Sequence, residues 1–229
     1  PAKAFLRFFD NHGLLKLRNR PEWRTVKGGS REYVSRLIRD SAFETRLRTP
    51  IVAIRRAAAG VTLRAANGDE QMFDDVVLAC HADQALAMLA DASPEERALL
   101  SCFRYSRNRA LLHRDPRLMP RSRRLWASWN YLSALPPQAA STSAVTYWMN
   151  SLQQLPVATP LFVSLNPLAE PDMRTMLGEF DYTHPIFDPA AMAAQREMWK
   201  IQGAQRTWFC GAYMGSGFHE DGIQAGLAV

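Results

Sequence analysis

The residues best suited to binding a ligand lie in the segment from residue 208 to residue 226. Gly211, Gly215 and Gly217 follow a short apolar run there and precede Glu220 and Asp221. Glycines let backbone N–H groups approach a ligand closely, and the start of a helix carries partial positive charge. The segment therefore predicts a strand, a glycine loop and a helix start that could hold an anionic or electron-accepting group. A tight turn followed by a capped helix is the simpler alternative.

Other familiar chemical motifs are absent from the sequence. Gly215-Ser216-Gly217 would need glycine at position 220 to complete G-x-G-x-x-G, and Glu220 stands there. The five histidines and three cysteines show no metal-ligand spacing, so we expect no metal. No Ser-His-Asp or Cys-His set has supporting motif context, and the catalytic residues therefore stay unknown.

The elements that must position this segment can be read from periodicity. The paired glycines Gly28-Gly29 precede an amphipathic helix, and Asn67-Gly68 is a strong hairpin signal. The unbroken apolar run from 76 to 80 predicts a strand buried on both faces. Further strands are predicted at 110–113, 125–129, 145–149, 161–165 and 206–210, and helices at 83–89, from Ser93 and at 189–202. The fold class is therefore α/β (α+β).

Composition places the chain among folded globular proteins. It has 229 residues, of which 47% are hydrophobic and 22% charged, and no apolar run near the roughly 20 residues of a membrane span. Three cysteines without paired spacing predict a reducing, cytoplasmic setting.

The charge balance is 28 basic against 22 acidic residues, a net charge of +6. Arginines concentrate between residues 104 and 124, close to Trp126, Trp129 and Tyr131. The cluster could be a solvated face, an anionic lipid surface or, less favoured, a nucleic-acid surface. The solvated face is the simplest of the three.

Four elements in this order resemble those of the FAD-dependent amine oxidase and phytoene desaturase superfamily. They are the Gly28-Gly29-Ser30 turn, an adenine-side strand at 49–54, the run at 75–80 and the segment 209–226. Within that superfamily the chain is similar to a bacterial group of predicted NAD/FAD-binding proteins, through Pro21-Glu22-Trp23 and the stretch 184–188 among other motifs.

The resemblance implies an FAD-dependent oxidoreductase that transfers hydride from a carbon or amine substrate to the flavin. It implies an adenine-side contact at Ile51 and places Gly211 and Tyr213 beside the pyrophosphate or ribityl chain. The start of the last helix, which would lie under the flavin pyrimidine, comprises Glu220, Asp221, Gly222 and Ile223. Amine oxidases commonly have an acid where Tyr213 stands, so polar contacts to the cofactor could differ here.

The resemblance also implies that the chain is the C-terminal half of the enzyme, inactive alone, with the dinucleotide-binding half preceding it. Residues 1–100 would hold partial FAD-domain elements and the start of a substrate domain, 101–203 the substrate domain with a mixed or antiparallel sheet, and 204–229 the flavin-contacting strand, loop and helix of a Rossmann-like domain. A small-molecule substrate, with a lipid-derived one as an option, and peripheral membrane contact are the expected partners. The alternative function is a non-catalytic domain that binds anionic lipid or nucleic acid through its arginines.

Overall fold

The computed structural model describes residues 2, 6, 9–10, 13–19, 21–22, 24–133 and 143–229, so Trp23 of the Pro21-Glu22-Trp23 motif lies outside the described residues. The chain divides into two compact units, each built from separate stretches of sequence. Unit 1 comprises Pro1–Glu22, Glu44–Ser106 and His184–Val229, and unit 2 comprises Trp23–Phe43 and Arg107–Thr183. The predicted functional division at residues 100 and 203 is not tested by this partition and stays a prediction.

Unit 1 contains a three-stranded antiparallel sheet in the order β1-β2-β3. The predicted Asn67-Gly68 hairpin is present: Gly68 has φ +92°, and the Asn67 side chain accepts a hydrogen bond from the Asp69 N–H at 3.1 Å. Gly60 closes the other hairpin at φ +152°, where a Cβ would lie 2.6 Å from the Phe73 carbonyl oxygen. The strands are β1 Ile51–Ala57, β2 Gly60–Ala65 and β3 Glu70–Phe73.

Unit 1 also contains a two-stranded parallel sheet made by β4 and β10. Strand β4 was predicted to be buried on both faces, and this is wrong, because Val77 is 52% exposed. Parallel strands are normally covered on both faces, but the described part of this sheet has only two strands and one face of β4 stays open. The elements are β4 Val76–Leu78, α2 Ala82–Met88, α3 Pro94–Leu100 and β10 Thr207–Phe209.

The core of unit 1 encloses an ion pair that no local sequence pattern indicated. Arg56 contacts Glu96 through two hydrogen bonds of 2.5 and 2.8 Å, and their side chains are 2% and 1% exposed. Glu96 is also the third residue of α3, the helix predicted from Ser93, and it forms a capping box with Ser93. The apolar core of this unit includes the buried side chains of Ile54, Val61, Leu100, Met198, Ile201 and Phe209.

Unit 2 begins with the predicted helix after the paired glycines. Gly28 and Gly29 both have φ +88°, and the helix α1 spans Arg31–Asp40 with none of its residues buried. Ser30 occupies the N-cap position as expected. Its side chain makes no cap hydrogen bond, because Ser30 itself has helical backbone angles.

A five-stranded sheet in the order β6-β7-β8-β5-β9 forms the rest of unit 2. The strand predicted at 125–129 is wrong: residues 123–125 form a 3₁₀ helix, and the strand begins at Trp129. The sequence patterns missed β9, where Gly178, Glu179 and Asp181 weaken the β signal. The strands are β5 Tyr105–His113, β6 Trp129–Ser133, β7 Ser143–Trp148, β8 Phe162–Leu165 and β9 Met176–Pro185, with the short helix α4 Met149–Leu152 after β7.

The helix predicted over 189–202 is shorter than expected. The helix α5 spans Pro189–Gln195, and Met198–Ile201 is a 3₁₀ helix. Met198 and Ile201 are 0% and 1% exposed, and a three-residue period places both on the same side. The last helix, α6, spans His219–Leu227. None of the described helices has the length and apolar character needed to cross a bilayer.

Candidate functional site

The candidate site lies in unit 1, at the carboxyl ends of β4 and β10. The two strands pair in register, Thr207 with Val76 and Phe209 with Leu78. The Cys210 N–H continues the pairing by donating to the Leu78 carbonyl oxygen at 3.1 Å. Parallel strands bring their carboxyl ends to one edge, which is where open α/β sheets bind ligands. The residues that follow each strand therefore meet at that edge.

Gly211 is the first residue after this edge, and its position requires glycine. Its φ is +153°, and a Cβ there would lie 2.8 Å from the Tyr213 ring and 3.5 Å from the Cys80 carbonyl oxygen. A side chain would strain the backbone and collide with the ring. The predicted strand and glycine loop are thus present, and Gly211 brings the chain close to the end of β4.

The loop after Gly211 is held by Gln195 of α5. The Gln195 side-chain N–H₂ group donates to the carbonyl oxygens of Tyr213 and Gly215, at 2.8 and 2.7 Å. Residues 212–214 form a 3₁₀ turn, and the Gly217 N–H donates to the Ala212 carbonyl oxygen at 3.0 Å. In the sequence Gln195 lies at helical spacing from Met192, Met198 and Trp199, and this stripe gives no sign of the contact with the loop.

The helix α6 begins where the loop ends, at His219. Asp221 accepts a hydrogen bond from the Phe218 N–H at 2.9 Å, and a Cβ at Gly215 would overlap the Asp221 carboxylate. Asp221 therefore ties the helix start to the loop. A Cβ at Gly222 would lie 3.8 Å from the Ala212 nitrogen, an ordinary contact distance.

Two of the predicted cofactor-contact residues in α6 are exposed. Ile223 is 47% exposed, and Glu220 accepts a hydrogen bond from the Gln224 side chain at 2.8 Å. The structure thus brings Gly211, Tyr213, Glu220, Asp221, Gly222 and Ile223 into one continuous loop and helix start. Their contacts with a cofactor stay predictions.

Tyr213 is the most enclosed of these residues, at 3% exposure. Its ring packs edge-on against Phe103, with centroids 4.8 Å apart. Desolvation raises the pKa of its hydroxyl well above the ordinary range. Within the described residues, the buried Tyr213 hydroxyl has no hydrogen-bond partner. A buried hydroxyl without a hydrogen-bond partner lowers the stability of the fold. The Tyr213 hydroxyl is therefore the polar group of this loop that most needs an explanation.

The end of β4 contributes a thiol and a stacked ring pair. His81 stacks on Tyr105 with centroids 4.2 Å apart, and the Tyr105 hydroxyl accepts a hydrogen bond from the Ala82 N–H at 2.9 Å. Burial raises the pKa of Tyr105 to about 12 and raises the pKa values of the Cys80 and Cys210 thiols. Both thiols therefore stay protonated at neutral pH, which argues against a nucleophilic role.

Ile51 lies in a different sheet from the other predicted contact residues. It is the first residue of β1 and packs, half-buried, against the core cluster that includes Tyr213. The predicted adenine contact at Ile51 stays a prediction. Across the described ranges, no group of three or more His, Cys, Asp or Glu side chains could hold a metal ion.

Unit 2 contains a Ser164, His113 and Asp115 set that resembles a catalytic triad but has the wrong proton arrangement. The Asp115 backbone N–H donates to Nδ1 of His113 at 3.1 Å, so the proton of the neutral ring is on Nε2. Nε2 then donates to Ser164 Oγ at 2.9 Å and cannot accept its proton. Ser164 is 0% exposed. The set is a buried structural network rather than a nucleophilic site.

Three arginines of the cluster, Arg104, Arg109 and Arg117, pair with carboxylates. In unit 1, Arg104 pairs with Asp188 at 2.6 Å. In unit 2, Arg109 pairs with Glu170 and Glu179, and Arg117 pairs with Asp115. Arg123 lies over the Trp126 ring, 5.3 Å from its centroid.

Comparison with known proteins supports the superfamily resemblance. The family model for flavin containing amine oxidoreductase matches residues 3–105. No curated protein matches the chain at a significant level. Among solved structures, a CLA-producing fatty acid isomerase from P. acnes is similar, with a TM-score of 0.59, 13% identity and 86% of this chain against 50% of that chain covered.

A second similar structure is a protein proposed to be a protoporphyrinogen oxidase from Exiguobacterium sp. 255-15. Its TM-score is 0.60 at 14% identity, and the match covers 97% of this chain and 56% of that chain. The chain therefore spans about half the length of the solved proteins it matches. Residues 3–105 carry the sequence pattern of the flavin containing amine oxidoreductase family, and the chain as a whole shares its fold with these two proteins.

Proposed function

We propose that this chain is the C-terminal part of an FAD-dependent oxidoreductase and supplies the strand, loop and helix that contact the flavin. The observation that carries the proposal is the meeting of Gly211, the loop held by Gln195 and the start of α6 at the carboxyl edge of β4 and β10. That edge is the ordinary ligand site of such sheets. The family match over residues 3–105 supports the choice of a flavin.

The residues at this edge fit a flavin nucleotide. Gly211 and Gly215 have no room for a side chain, because an added Cβ would meet the Tyr213 ring or the Asp221 carboxylate. The first turn of α6 offers backbone N–H groups and a positive dipole end. Tyr213 keeps a buried hydroxyl without a partner in the described part of the chain. The Asp221 carboxylate accepts the Phe218 N–H at the helix start, so we assign Asp221 to shaping the loop. Glu220 and Ile223 are exposed, and we assign them to the surface that the flavin ring would approach.

When bound, FAD would supply a hydride acceptor for a carbon or amine substrate. The chain's own residues would bind and orient it: Gly211 by close backbone approach, Gln195 by fixing the loop, and the start of α6 by its N–H groups. The thiols of Cys80 and Cys210 would stay neutral there, because burial raises their pKa values. No side chain in this unit is assigned as a catalytic base.

Among the described residues no strand pairs with the outer edge of β4, and we propose that a preceding dinucleotide-binding half supplies one. The outer edge of β10 is closed, because the Gln202 side chain hydrogen-bonds Phe209 and the Gly203 N–H donates to the Thr207 carbonyl oxygen at 2.9 Å. The backbone N–H and C=O groups of Leu78 point toward β10. Because these groups alternate in direction along a strand, those of Val77 point away from β10. We therefore expect a further parallel strand to pair along β4 and to bond the backbone groups of Val77.

The substrate, membrane contact and location of the proposed enzyme are further proposals. A small-molecule substrate fits the enzyme class, and a lipid-derived substrate and peripheral membrane contact are proposals. A cytoplasmic location is a further proposal, supported by the three cysteines, which are all free. A purely binding role for the arginine cluster is not favoured, since carboxylates neutralise Arg104, Arg109 and Arg117.

The proposal is tested on the full-length parent protein, purified gently and examined for a flavin spectrum before and after FAD is added. We expect bound flavin that an organic substrate bleaches without oxygen. Absence of flavin in both preparations would refute the proposal. Flotation with anionic liposomes and DNA binding over a salt series test the alternative, because phosphate contacts weaken steeply with salt.

A further inference from the structure

A short surface segment of unit 2 carries charge of one sign only. Residues 121–125 include Arg121, Arg123 and Arg124, and all five residues are exposed. Among the described residues, none of these three guanidinium groups pairs with a carboxylate, and the one ring contact is that of Arg123 with Trp126. We call residues 121–125 the basic turn.

The sequence around the basic turn offers no acid to neutralise it. From residue 116 to residue 169 the only charged residues are four arginines, which are Arg117 and the three of the turn. Arg117 pairs with the carboxylate of Asp115. Exposed charges of like sign that lie close together repel one another, and an anionic partner removes this repulsion. The charge of the turn therefore calls for a partner that carries several negative groups.

The basic turn is held in place by Trp126. The Trp126 indole N–H donates to the Pro120 carbonyl oxygen at 2.9 Å, and its ring packs edge-on against Trp148 with centroids 5.3 Å apart. Within the turn, the Leu125 N–H donates to the Ser122 carbonyl oxygen at 3.0 Å. Because the backbone is already ordered, the arginines lose less conformational entropy when they bind a partner.

Leu125 adds an exposed apolar side chain to the basic turn. Its exposed fraction is 68%, and it directly follows Arg124. A single exposed leucine is ordinary on a protein surface, but here three arginines without carboxylate partners precede it. Surfaces that dock on anionic membranes combine Arg or Lys with residues such as Leu. The composition of the turn thus matches a lipid surface, where phosphate groups lie next to hydrocarbon.

The packing of Trp126 argues against a single-stranded nucleic acid as the partner. Surfaces that bind such strands present ring faces on which bases stack. Trp126 is half-buried, and the Arg123 guanidinium already lies over its ring, 5.3 Å from the centroid. The ring is therefore not presented to a base.

We propose that the basic turn docks on an anionic lipid surface. Arg121, Arg123 and Arg124 contact the phosphate groups, and Leu125 enters the boundary between headgroups and hydrocarbon. The proposal assigns a surface to peripheral membrane contact, and it does not rest on flavin binding.

The test is co-sedimentation of this chain with phosphatidylcholine vesicles that contain phosphatidylglycerol. We expect binding at low ionic strength, little binding to phosphatidylcholine alone, and release as added salt screens the charges. The triple variant Arg121→Gln, Arg123→Gln and Arg124→Gln should bind roughly a hundredfold more weakly, since each arginine near an anionic surface contributes about fivefold. Leu125→Ala should weaken binding about threefold to fivefold, because part of an apolar side chain leaves water on docking.

The matched control replaces Arg39, Arg46 and Arg55 by glutamine. Their side chains are 68%, 56% and 62% exposed, and each pairs with a carboxylate. The control variant therefore loses the same net charge away from the basic turn. It should bind the vesicles within about threefold of the wild-type chain, since distant exposed charges are largely screened.

Circular dichroism of each variant establishes that it is folded. If the triple variant of the turn is not folded, the double variant Arg121→Gln and Arg124→Gln replaces it, because it keeps Arg123 over the Trp126 ring. That double variant should bind roughly thirtyfold more weakly than the wild-type chain.

The proposal is overturned by any of three results: no binding to the phosphatidylglycerol vesicles at low ionic strength, equal weakening in the turn and control variants, or binding that Leu125→Ala leaves unchanged. Binding of duplex DNA or polyglutamate that depends on the turn and is tighter than vesicle binding overturns it as well. The partner would then be a nucleic acid or an acidic protein. No flavin enters these measurements, so their failure is separate from failure of the proposed function.

Discussion

The side-chain amide of Gln202 hydrogen-bonds both backbone groups of Phe209: it donates to the carbonyl oxygen at 2.7 Å and accepts from the N–H at 2.8 Å. One side chain thus takes the place of a neighbouring strand along the outer edge of β10. Phe209 is fully buried, so both of its backbone groups would otherwise lack partners. This contact directs any further strand to the other side of the sheet.

Gln202→Ala should lower the free energy of unfolding by about 1–3 kcal/mol, because it leaves buried backbone groups without partners. Urea unfolding followed by circular dichroism measures the change. Gln224→Ala, which removes an exposed contact with Glu220, is the control and should cost less than about 0.5 kcal/mol. Equal effects of the two variants would show that the Gln202 contact is unimportant.

Gly211→Ala should destabilise the chain by about 1–3 kcal/mol, since alanine at φ +153° is strained and its Cβ would meet the Tyr213 ring. Gly226→Ala is the matched control, because no atom lies within 4 Å of its added Cβ. Alanine favours the α6 helix there, by up to about 1 kcal/mol. Thermal unfolding should therefore move in opposite directions in the two variants, and a stable Gly211→Ala chain would contradict the described loop.

Glu96→Gln should cost about 1.5–3 kcal/mol, because it removes the buried one of the two carboxylate partners of Arg56 and leaves Asp91, whose side chain is 36% exposed. Arg55 and Glu70 offer a comparison in the same unit, since their side chains are 62% and 45% exposed. Glu70→Gln should change the free energy of unfolding by less than about 1 kcal/mol. A Glu96→Gln variant as stable as Glu70→Gln would show that burial of the Arg56 pair carries little energy.

The stability of the chain should fall as the pH drops below the ordinary range of histidine, about 6.5. Desolvation lowers the pKa of His113 in the folded state, although the nearby Asp115 acts in the opposite direction. The unfolded chain therefore binds this proton first, and the folded chain loses stability as pH decreases. Urea unfolding of wild type and His113→Gln at pH values from 7 to about 5 measures the effect. A slope that is the same in both proteins would show that His113 does not contribute.

The sequence predicted those parts of the fold that neighbouring residues determine. Asn67-Gly68 specifies its hairpin locally, and Ser93 with Glu96 caps a helix within four residues. Contacts that depend on tertiary structure had no such signal. They are Gln202 with Phe209, which are seven positions apart, Arg56 with Glu96, and Ser164 with His113.

The same distinction applies to the candidate site. The glycine pattern after β10 predicted a strand, a loop and a helix start, and the structure has all three. Gln195 reads in the sequence as one position of a helical stripe, and its two bonds to the loop depend on how α5 packs. The burial of Tyr213 was likewise not readable from spacing.

The flavin content of the full-length parent, measured beside that of this 229-residue chain in one assay, tests the central claim most directly. After incubation with FAD and gel filtration, the visible spectrum gives the ratio of flavin to protein. The account predicts stoichiometric flavin in the parent and little or none in this chain, which lacks the phosphate-binding G-x-G-x-x-G loop. A parent without flavin, or a stoichiometric flavin in this chain alone, would contradict it.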